Sequence, residues 1–247
     1  MVGLTLSYTF MVIAVMAITI LTVTAGHPPA TPSTASSPEL GAPQPTWTSA
    51  PAQPPAPAPV NLSKVLLSLD EVREIMKTPG LEDLRGSSPA GPGGQDKDVT
   101  SDPPECGGAV ASGLDTVYNL SSVVAMRSSS FGDTSTATIV GQSAASFDSA
   151  AAAQAFVAKN TDQWRQCSGK EFRIVSPSGT LTWQIGAVTV GGDRTSLRNE
   201  LTGRNNVPEY RVMAARGNVV IDLSLFSRQA TNEIDIMTDR ILARIPG

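Results

Sequence analysis

The chain has 247 residues, with 18 Lys and Arg against 22 Asp and Glu, so its formal net charge is −4 at pH 7. An isoelectric point near 5.0 argues against nucleic acid as a partner, because such binding needs clustered basic charge. The charge is unevenly distributed, since Glu39 is the one charged side chain among the first 60 residues. The remaining stretch, residues 61–247, is long enough to bury a core without metal ions, and we expect one globular domain there.

The N-terminal segment, residues 1–26, is predicted to be a signal or anchor helix. Its run from Val2 to Val23 is apolar and uncharged, and about 20 such residues can span a bilayer. The segment lacks the positive charge that usually begins a signal peptide, so it is an uncleaved single-pass anchor or a signal that starts upstream of Met1. Cleavage near Gly26 would instead give a secreted protein. Each alternative places the domain outside the cytoplasm.

A lipid anchor is not expected, although Thr24-Ala25-Gly26 resembles the end of a bacterial lipoprotein signal. The next residue would have to be a cysteine to carry the lipid, and this chain has His27. Residues 27–60 then contain 11 of the 19 prolines together with many Ala, Ser and Thr residues. That composition predicts a disordered linker between the membrane and the domain.

Helical signals open the domain. Residues 62–67 predict a short helix, and Ser68 and Glu71 have the spacing of a capping box for a second one, which Pro79-Gly80 would end. Residues 86–104 are rich in Gly, Pro, Ser and Asp and predict a loop.

A long helix is predicted to begin after Ser146 or Asp148 and to reach about Cys167, where Gly169 would end it. Six residues at helical spacing would form its buried face: Ala153, Phe156, Val157, Asn160, Trp164 and Cys167. A last helix is predicted from about Thr231 to Arg244, with an apolar face of Ile234, Met237, Ile241 and Ile245.

The stretches between these helices predict strands. Four are rich in β-branched residues or partly alternate: VYNLSSVVAM, TATIVGQSA, EFRIVS and TLTWQIGAVTV. YRVMAARGNVVIDLSLF predicts a hairpin that turns at Arg216-Gly217-Asn218, and Gly191-Gly192-Asp193 predicts another turn. Short neighbouring strands between separated helices are typical of an α+β fold with an antiparallel sheet.

Cys106 and Cys167 are the two cysteines of the chain. In an exported protein an isolated pair favours a disulfide, here closing a loop of about 60 residues, and two buried thiols are the alternative.

The sequence offers little for catalysis. His27, the one histidine, lies in the linker, so the domain has neither a Ser-His-Asp triad nor a metal site that uses histidine. Residues 141–145, GQSAA, faintly resemble a nucleophile elbow, but no histidine follows them. We expect no enzymatic activity, no catalytic residue, no cofactor and no metal site.

Candidate binding residues are aromatic and polar side chains near predicted strand ends and loops, where ligand sites concentrate. They are Tyr118, Trp183, Arg198, Asn205 and Tyr210. Trp183 could equally lie in the core, because its strand alternates. Arg194, Arg198 and Arg204 fall in one segment and could meet an anionic ligand, although a solvated charged loop is the simpler interpretation.

Four stretches occur together in an order that resembles a known family: LLSLDEVREIM, DPPECGG, AAQAFVAKNTDQWRQCSGK and RVMAARGNVVIDLSLF. They resemble the PknH-like extracellular sensor domain, which belongs to a mycobacterial receptor kinase and also occurs alone in exported lipoproteins. The resemblance covers residues 62–245. It implies a strongly curved antiparallel sheet with flanking helices that form a cleft.

The resemblance also implies ligand sensing outside the cell, with no known catalysis. The family's first disulfide maps onto Cys106 and Cys167. A second bridge, common in the family, would fall near Glu209 and at Phe226, where this chain has no cysteine. The chain shows no kinase signature. The expected partner is an unidentified small molecule or envelope ligand; the alternative is a structural or surface interaction protein of the cell envelope that binds no small molecule.

Overall fold

A computed structural model describes residues 60–84, 100–118, 123–177, 179–203 and 206–246. The predicted signal or anchor helix, nearly all of the predicted linker, and most of the predicted loop after residue 85 lie outside these ranges. Within them, no helix combines the length and the apolar character needed to cross a membrane.

One open, curved antiparallel sheet dominates the described residues, as predicted. Its strand order is β1-β3-β4-β10-β9-β8-β6-β5-β2, and β7 pairs with the part of β8 that β6 leaves free. The strands are β1 (Glu82–Asp83), β2 (Thr100–Asp102), β3 (Val123–Asp133), β4 (Thr138–Phe147), β5 (Glu171–Ser176), β6 (Gly179–Gln184), β7 (Val188–Gly191), β8 (Arg194–Thr202), β9 (Val207–Arg216) and β10 (Val219–Phe226).

Helices cover both faces of the sheet, which gives the predicted α+β fold. They are α1 (Leu62–Val65), α2 (Leu69–Met76), α3 (Gly107–Val110), α4 (Asp115–Tyr118), α5 (Ala150–Cys167) and α6 (Glu233–Leu242). Helices α1, α2 and α6 pack on one face, here called the α6 face. Helices α3, α4 and α5 pack on the other, here called the α5 face.

The α6 face buries an aliphatic core. Val212 and Ile221 of the central strands pack beneath Met237 and Ile241 of α6, as the apolar spacing of the last helix predicted. The capping box at the start of α2 is confirmed, because the Ser68 side chain accepts the Glu71 N–H and the Glu71 carboxylate accepts the Ser68 N–H.

The α5 face is covered by the long helix. Trp164 and Cys167 are buried on its inner side as predicted, and Cys167 forms the predicted disulfide with Cys106, at the end of the 3₁₀ turn before α3. The predicted cap residues were wrong. Ser149 caps α5 by accepting the Ala152 N–H, because strand β4 continues through Ser146 and ends at Phe147.

Four further boundaries differ from the predictions. Residues 100–102 of the predicted loop pair with β5 as strand β2. The first two residues of the predicted strand VYNLSSVVAM, 117 and 118, belong to helix α4, whereas residues 123–126 belong to β3. The segment 194–202 is strand β8 instead of a charged loop, since it pairs along its length with β9.

The fourth difference divides TLTWQIGAVTV into β6 and β7. The break lies at Gly186, whose N–H donates to the Asn199 side chain at 3.2 Å. A Cβ atom at Gly186 would lie 1.9 Å from the carbonyl oxygen of Arg198, so only glycine allows β8 this close. The predicted turn at Gly191-Gly192-Asp193 is present and joins β7 to β8.

Candidate functional site

The structure separates the predicted binding residues between the two faces of the sheet. Arg198 and Tyr210 lie directly opposite each other on β8 and β9 and line a cavity on the α6 face. Tyr118 and Trp183 are buried in the α5-face core. Asn205 lies outside the described residues, so its predicted role is untested.

The cavity beside Arg198, here called the Arg198 cavity, measures about 300 Å³. Strands β7, β8 and β9 form its floor, and the first turn of α6 forms one wall. It is lined by Ala187, Thr189, Ser196, Leu197, Arg198, Tyr210, Arg211, Val212, Ile234 and Asp235. Its volume is at the lower end of the range for small-molecule sites, and its lining combines polar and charged residues with apolar ones.

The guanidinium of Arg198 has two long contacts, one with Tyr210 and one with Glu200. Its guanidinium carbon lies 5.9 Å from the centre of the Tyr210 ring, within cation–π range. Its carboxylate partner, Glu200, is 3.9 Å away, and the two side chains are 53% and 44% exposed. An exposed pair at that distance contributes little, so most of the charge of Arg198 remains available.

Tyr210 is positioned more firmly. Its hydroxyl donates to the carbonyl oxygen of Ala230 at 3.4 Å, in the segment that leads into α6. The ring is therefore tied at its far end to the helix connection, while one side of it borders the cavity.

Arg194 lies on β8 like Arg198, but neighbouring aspartates balance its charge. Its guanidinium lies 3.0 Å from Asp193, 2.6 Å from Asp239 and 3.7 Å from Asp235. Partial burial lowers the pKa of Arg194, but the hydrogen bonds with Asp239 and Asp193 outweigh burial and raise it. This arginine ties β8 to α6, whereas Arg198 faces the cavity.

On the α5 face, directly behind Tyr210, lies a buried ionic cluster of Glu209, Arg211 and Asp222. The Arg211 guanidinium lies 2.8 Å from Asp222 Oδ1, with side-chain exposures of 0% and 2%. Arg211 also donates to three carbonyl oxygens, those of Gly108, Ala111 and Leu223, at 2.7–3.0 Å. Its guanidinium carbon lies 5.2 Å from the centre of the Trp164 ring.

Tyr118 belongs to this cluster. Its hydroxyl donates to Asp222 Oδ2 at 3.2 Å, and the Gly113 N–H donates to the same oxygen at 2.9 Å. Burial and the adjacent Asp222 carboxylate raise the pKa of Tyr118 well above its usual value, so the hydroxyl stays a donor. Tyr118 therefore stabilises a buried carboxylate, and its role in ligand binding stays a prediction.

Sequence reasoning missed the ionic cluster, although a signal was present. Asp222 interrupts the apolar run of β10 between Ile221 and Leu223, and Glu209 and Arg211 alternate with Tyr210 on β9. A charged residue inside a strand that is otherwise suited to burial needs a partner, and the oppositely charged residues of the neighbouring strand were the candidates.

Catalytic chemistry finds little support in the described part of the chain. No group of three or more His, Cys, Asp or Glu residues there is arranged to hold a metal ion. Ser143, the serine of the GQSAA stretch, is buried in the middle of β4 and shares a hydrogen bond with Ser128 at 2.8 Å. Its hydroxyl thus lies inside the sheet, away from the sharp strand-to-helix turn of a nucleophile elbow.

Trp183 lies in the core, 5.8 Å from Phe172 between ring centres. Glu209 and Phe226, the positions that the family resemblance assigned to a second bridge, lie directly opposite each other on β9 and β10. A cross-strand disulfide is geometrically natural at such a pair, and in this chain an acid and an aromatic ring stand there.

Comparison with known proteins identifies the described domain. The family described as PknH-like extracellular domain matches residues 57–244. The chain is 28% identical over 204 residues to the serine/threonine-protein kinase PknH of Mycobacterium bovis, and 28% identical over 203 residues to the serine/threonine-protein kinase PknJ of Mycobacterium tuberculosis. These matches cover 79% and 78% of this chain but 33% and 34% of the relatives, so the chain spans about a third of their length.

A solved structure supports the same fold. The crystal structure of the extracellular domain of PknH from Mycobacterium tuberculosis matches with a TM-score of 0.63 and 24% sequence identity. The match covers 74% of this chain and 93% of that chain. The similarity lies in an extracellular domain and not in a kinase catalytic domain.

Proposed function

The chain belongs to the PknH-like extracellular domain family, and we propose that its domain is a sensor that binds a small ligand in the Arg198 cavity without catalysing a reaction. The observation that carries the proposal is the pairing of Arg198 with Tyr210 at the edge of an open cavity. A weakly paired guanidinium beside an aromatic ring is suited to an anionic group that is attached to an apolar body.

Asp235 defines the ligand further. It lines the cavity opposite Arg198 and is itself only 3.7 Å from Arg194, at 60% exposure. A ligand that fills the cavity therefore meets positive charge on β8 and negative charge on α6. This arrangement favours a ligand of modest net charge, such as a zwitterion, over a polyanion.

Membrane attachment is part of the proposal and is supported by the sequence from Val2 to Val23. These 22 residues would form a helix of about 33 Å, long enough for the apolar part of a bilayer. The proline-rich residues 27–60 would then hold the domain away from the membrane.

Native mass spectrometry of the full chain, extracted in mild detergent from the membranes of its own host, tests ligand binding. The proposal predicts an additional small mass on the wild-type protein. A double variant, Arg198→Gln with Tyr210→Ala, should lose that mass. Arg127→Gln is the matched control, since Arg127 is an exposed arginine on β3, outside the cavity.

Two results would contradict the binding proposal. The additional mass could persist in the double variant, which would place the ligand elsewhere, or the wild-type protein could carry no additional mass in any preparation. The second result would favour the envelope interaction protein without a small-molecule ligand.

Membrane attachment is tested by fractionating cells that express the full chain. Anchoring predicts the intact mass in the membrane fraction, resistance to carbonate extraction and no incorporation of labelled fatty acid. A soluble form that begins near His27 would establish a cleaved signal instead, and a lipid-labelled form would contradict the interpretation of the whole segment.

A further inference from the structure

The buried ionic cluster contains more acid than base. Glu209, Asp222 and Arg211 are all fully buried, and they bring two carboxyl groups to one guanidinium. An isolated charge is strongly unfavourable in such an environment, so a buried group without a counter-charge becomes neutral instead. The cluster can be neutral only if one of the two carboxyl groups carries a proton.

The contacts decide which carboxyl group carries it. Asp222 has the direct contact with Arg211 and accepts hydrogen bonds from the Gly113 N–H and the Tyr118 hydroxyl. Burial raises the pKa of Asp222, but all three of these partners favour its ionised form.

Fewer contacts stabilise the ionised form of Glu209. Its Oε2 atom accepts one hydrogen bond, from the Asn199 amide at 3.0 Å, and its Oε1 atom finds no partner among the described residues. Burial, with a smaller contribution from Asp222, raises the pKa of Glu209 to about 8 in spite of the opposing effect of Arg211.

Among the described residues, no other titratable group faces Glu209 from the elements packed against it. On β8 the facing residue is Asn199, on β10 Phe226 lies directly opposite Glu209 while Asp222 lies farther along the strand, and α3 contributes backbone carbonyl oxygens only. Helix α4 contributes Tyr118, and α5 contributes Trp164, which lies against Arg211.

We propose that Glu209 is a proton sensor, which is protonated in the folded domain at neutral pH and makes the fold more stable as its surroundings become more acidic. The proposal does not depend on ligand binding in the Arg198 cavity. It is nevertheless connected to that cavity, because Glu209 and Tyr210 are neighbours on β9 and point to opposite faces of the sheet.

The direction of the effect follows from the two ionisation states. Glu209 ionises near pH 4.5 in an unfolded chain and near pH 8 in the folded domain, so between these values the folded state holds one more proton. Stability therefore falls as pH rises through this window, by up to about tenfold in the folding equilibrium constant per pH unit. It is highest below about pH 4.5 as far as Glu209 alone is concerned.

No histidine of the domain titrates in this window. Residues 61–247 contain no histidine, the side chain that ordinarily titrates between pH 5 and 8. Hydrogen bonds from neighbouring residues outweigh partial burial and lower the pKa of Glu71, Asp133 and Glu233, so these acids act below the window and in the opposite sense.

Ionisation of Glu209 should open the buried ionic cluster at helix α3. When Glu209 ionises, the buried cluster gains an uncompensated negative charge that needs water. Helix α3 covers the cluster, since the carbonyl oxygens of Ala109 and Gly108 accept hydrogen bonds from Asn199 and Arg211. We expect α3 to loosen first, because it has four residues and is held partly by these two side chains.

The test is the thermal unfolding of the full chain in mild detergent between pH 5 and pH 8.5, for the wild type and Glu209→Gln. The amide keeps the shape of the protonated acid but cannot ionise. The melting temperature of the wild type should fall as pH rises, and that of Glu209→Gln should fall less steeply. Asp115 and Asp222, whose pKa burial also raises, remain in the variant, so the difference reports Glu209.

Glu200→Gln serves as the matched control, because Glu200 is a half-exposed glutamate on the adjacent strand, and its profile should follow the wild type. Equal pH profiles for the wild type and Glu209→Gln would overturn the proposal. If Glu209→Gln does not fold, carboxyl-carbon NMR of the wild type decides the question. One glutamate titrating near pH 8 supports the proposal, and all glutamates titrating below pH 5 would refute it.

Discussion

Two arginines on neighbouring strands meet opposite environments. Arg211 of β9 is enclosed on the α5 face, where one carboxylate, three carbonyl oxygens and the Trp164 ring surround it. Arg198 of β8 lies on the α6 face at an open cavity, with Tyr210 below it and a carboxylate 3.9 Å away. The same side chain thus organises a core on one face and stays half exposed beside a cavity on the other.

The difference follows from what covers each face. On the α5 face, α3 and α5 are joined through the disulfide between Cys106 and Cys167 and cover the sheet over β9 and β10. On the α6 face, helix α6 packs on the same two strands, and the cavity opens beside its first turn. Substitutions that are chemically alike should therefore have very different effects on the two faces.

The largest effect is expected for Arg211→Met. The substitution keeps an apolar stem but leaves Asp222 buried without its counter-charge, and it leaves three carbonyl oxygens without the donor that Arg211 supplies. Removing one partner of a buried ion pair costs about 3–5 kcal/mol, and the lost hydrogen bonds favour the upper end, about 5 kcal/mol. Urea unfolding of the full chain measures the loss. Arg198→Met is the control, and equal losses for both variants would contradict the comparison.

The next effect is expected for removal of the disulfide by Cys106→Ala with Cys167→Ala. The two cysteines are 61 residues apart, and closing a loop of this length contributes about 4 kcal/mol by the chain-entropy estimate. The urea midpoint should fall in the double variant. It should also fall in the wild type on addition of a reductant, with little change in the already reduced variant. A reductant that shifts both proteins equally would show that the effect has another origin.

The elements that the sequence predicted well carry strong local signals. Ser68 and Glu71 have the spacing of a capping box, and the apolar positions of the long and last helices repeat at helical spacing. The hairpin turn at Gly217 is equally local, since its φ of 54° is one that glycine adopts without strain. Each of these signals lies within a few residues of the structure that it determines.

Strand β8 was predicted as a loop because its sequence carries no local strand signal, and its conformation depends on pairing with β9. Arg198 and Glu200 point outward, while Asn199 points inward and bonds the buried Glu209. An inward asparagine in a charged segment favours a loop when each residue is judged alone. Only the pairing with β9 provides the partner that makes Asn199 suitable for burial.

The predicted site residues separated for a related reason. Aromatic residues near strand ends are suited to both a core and a cleft, and burial decides between them. Arg198 and Tyr210 met because the β8–β9 register places them opposite each other, whereas Trp183 and Tyr118 face the α5-side core. Register depends on pairing between distant parts of the chain, so the spacing of residues in the sequence could not supply it.

A smaller effect is expected for Tyr118→Phe. The ring and its contact with Phe156, 4.9 Å between centres, remain, and only the hydroxyl that donates to Asp222 is lost. A hydrogen bond to a charged acceptor contributes about 1.5–3 kcal/mol, and its 3.2 Å length favours about 1.5. Tyr210→Phe on the α6 face is the control. A loss for Tyr118→Phe that is no larger than that of Tyr210→Phe would argue against the carboxylate as the important acceptor.

The smallest effect on stability is expected for Arg198→Gln. A small loss of stability agrees with the proposed ligand role of Arg198, whereas a large loss would indicate a structural role. Its guanidinium is half exposed, its ion pair with Glu200 is long, and its contact with Tyr210 is at the limit of cation–π range. Exposed contacts of this kind contribute at most about 0.5–1 kcal/mol together, so the urea midpoint should hardly change. If Arg198 instead held β8 and β9 together, the variant would lose stability on the scale of Tyr118→Phe or more. A stable variant that no longer carries the small mass of the wild type would place the function of Arg198 in the cavity, whereas an unstable one would assign this arginine to the fold.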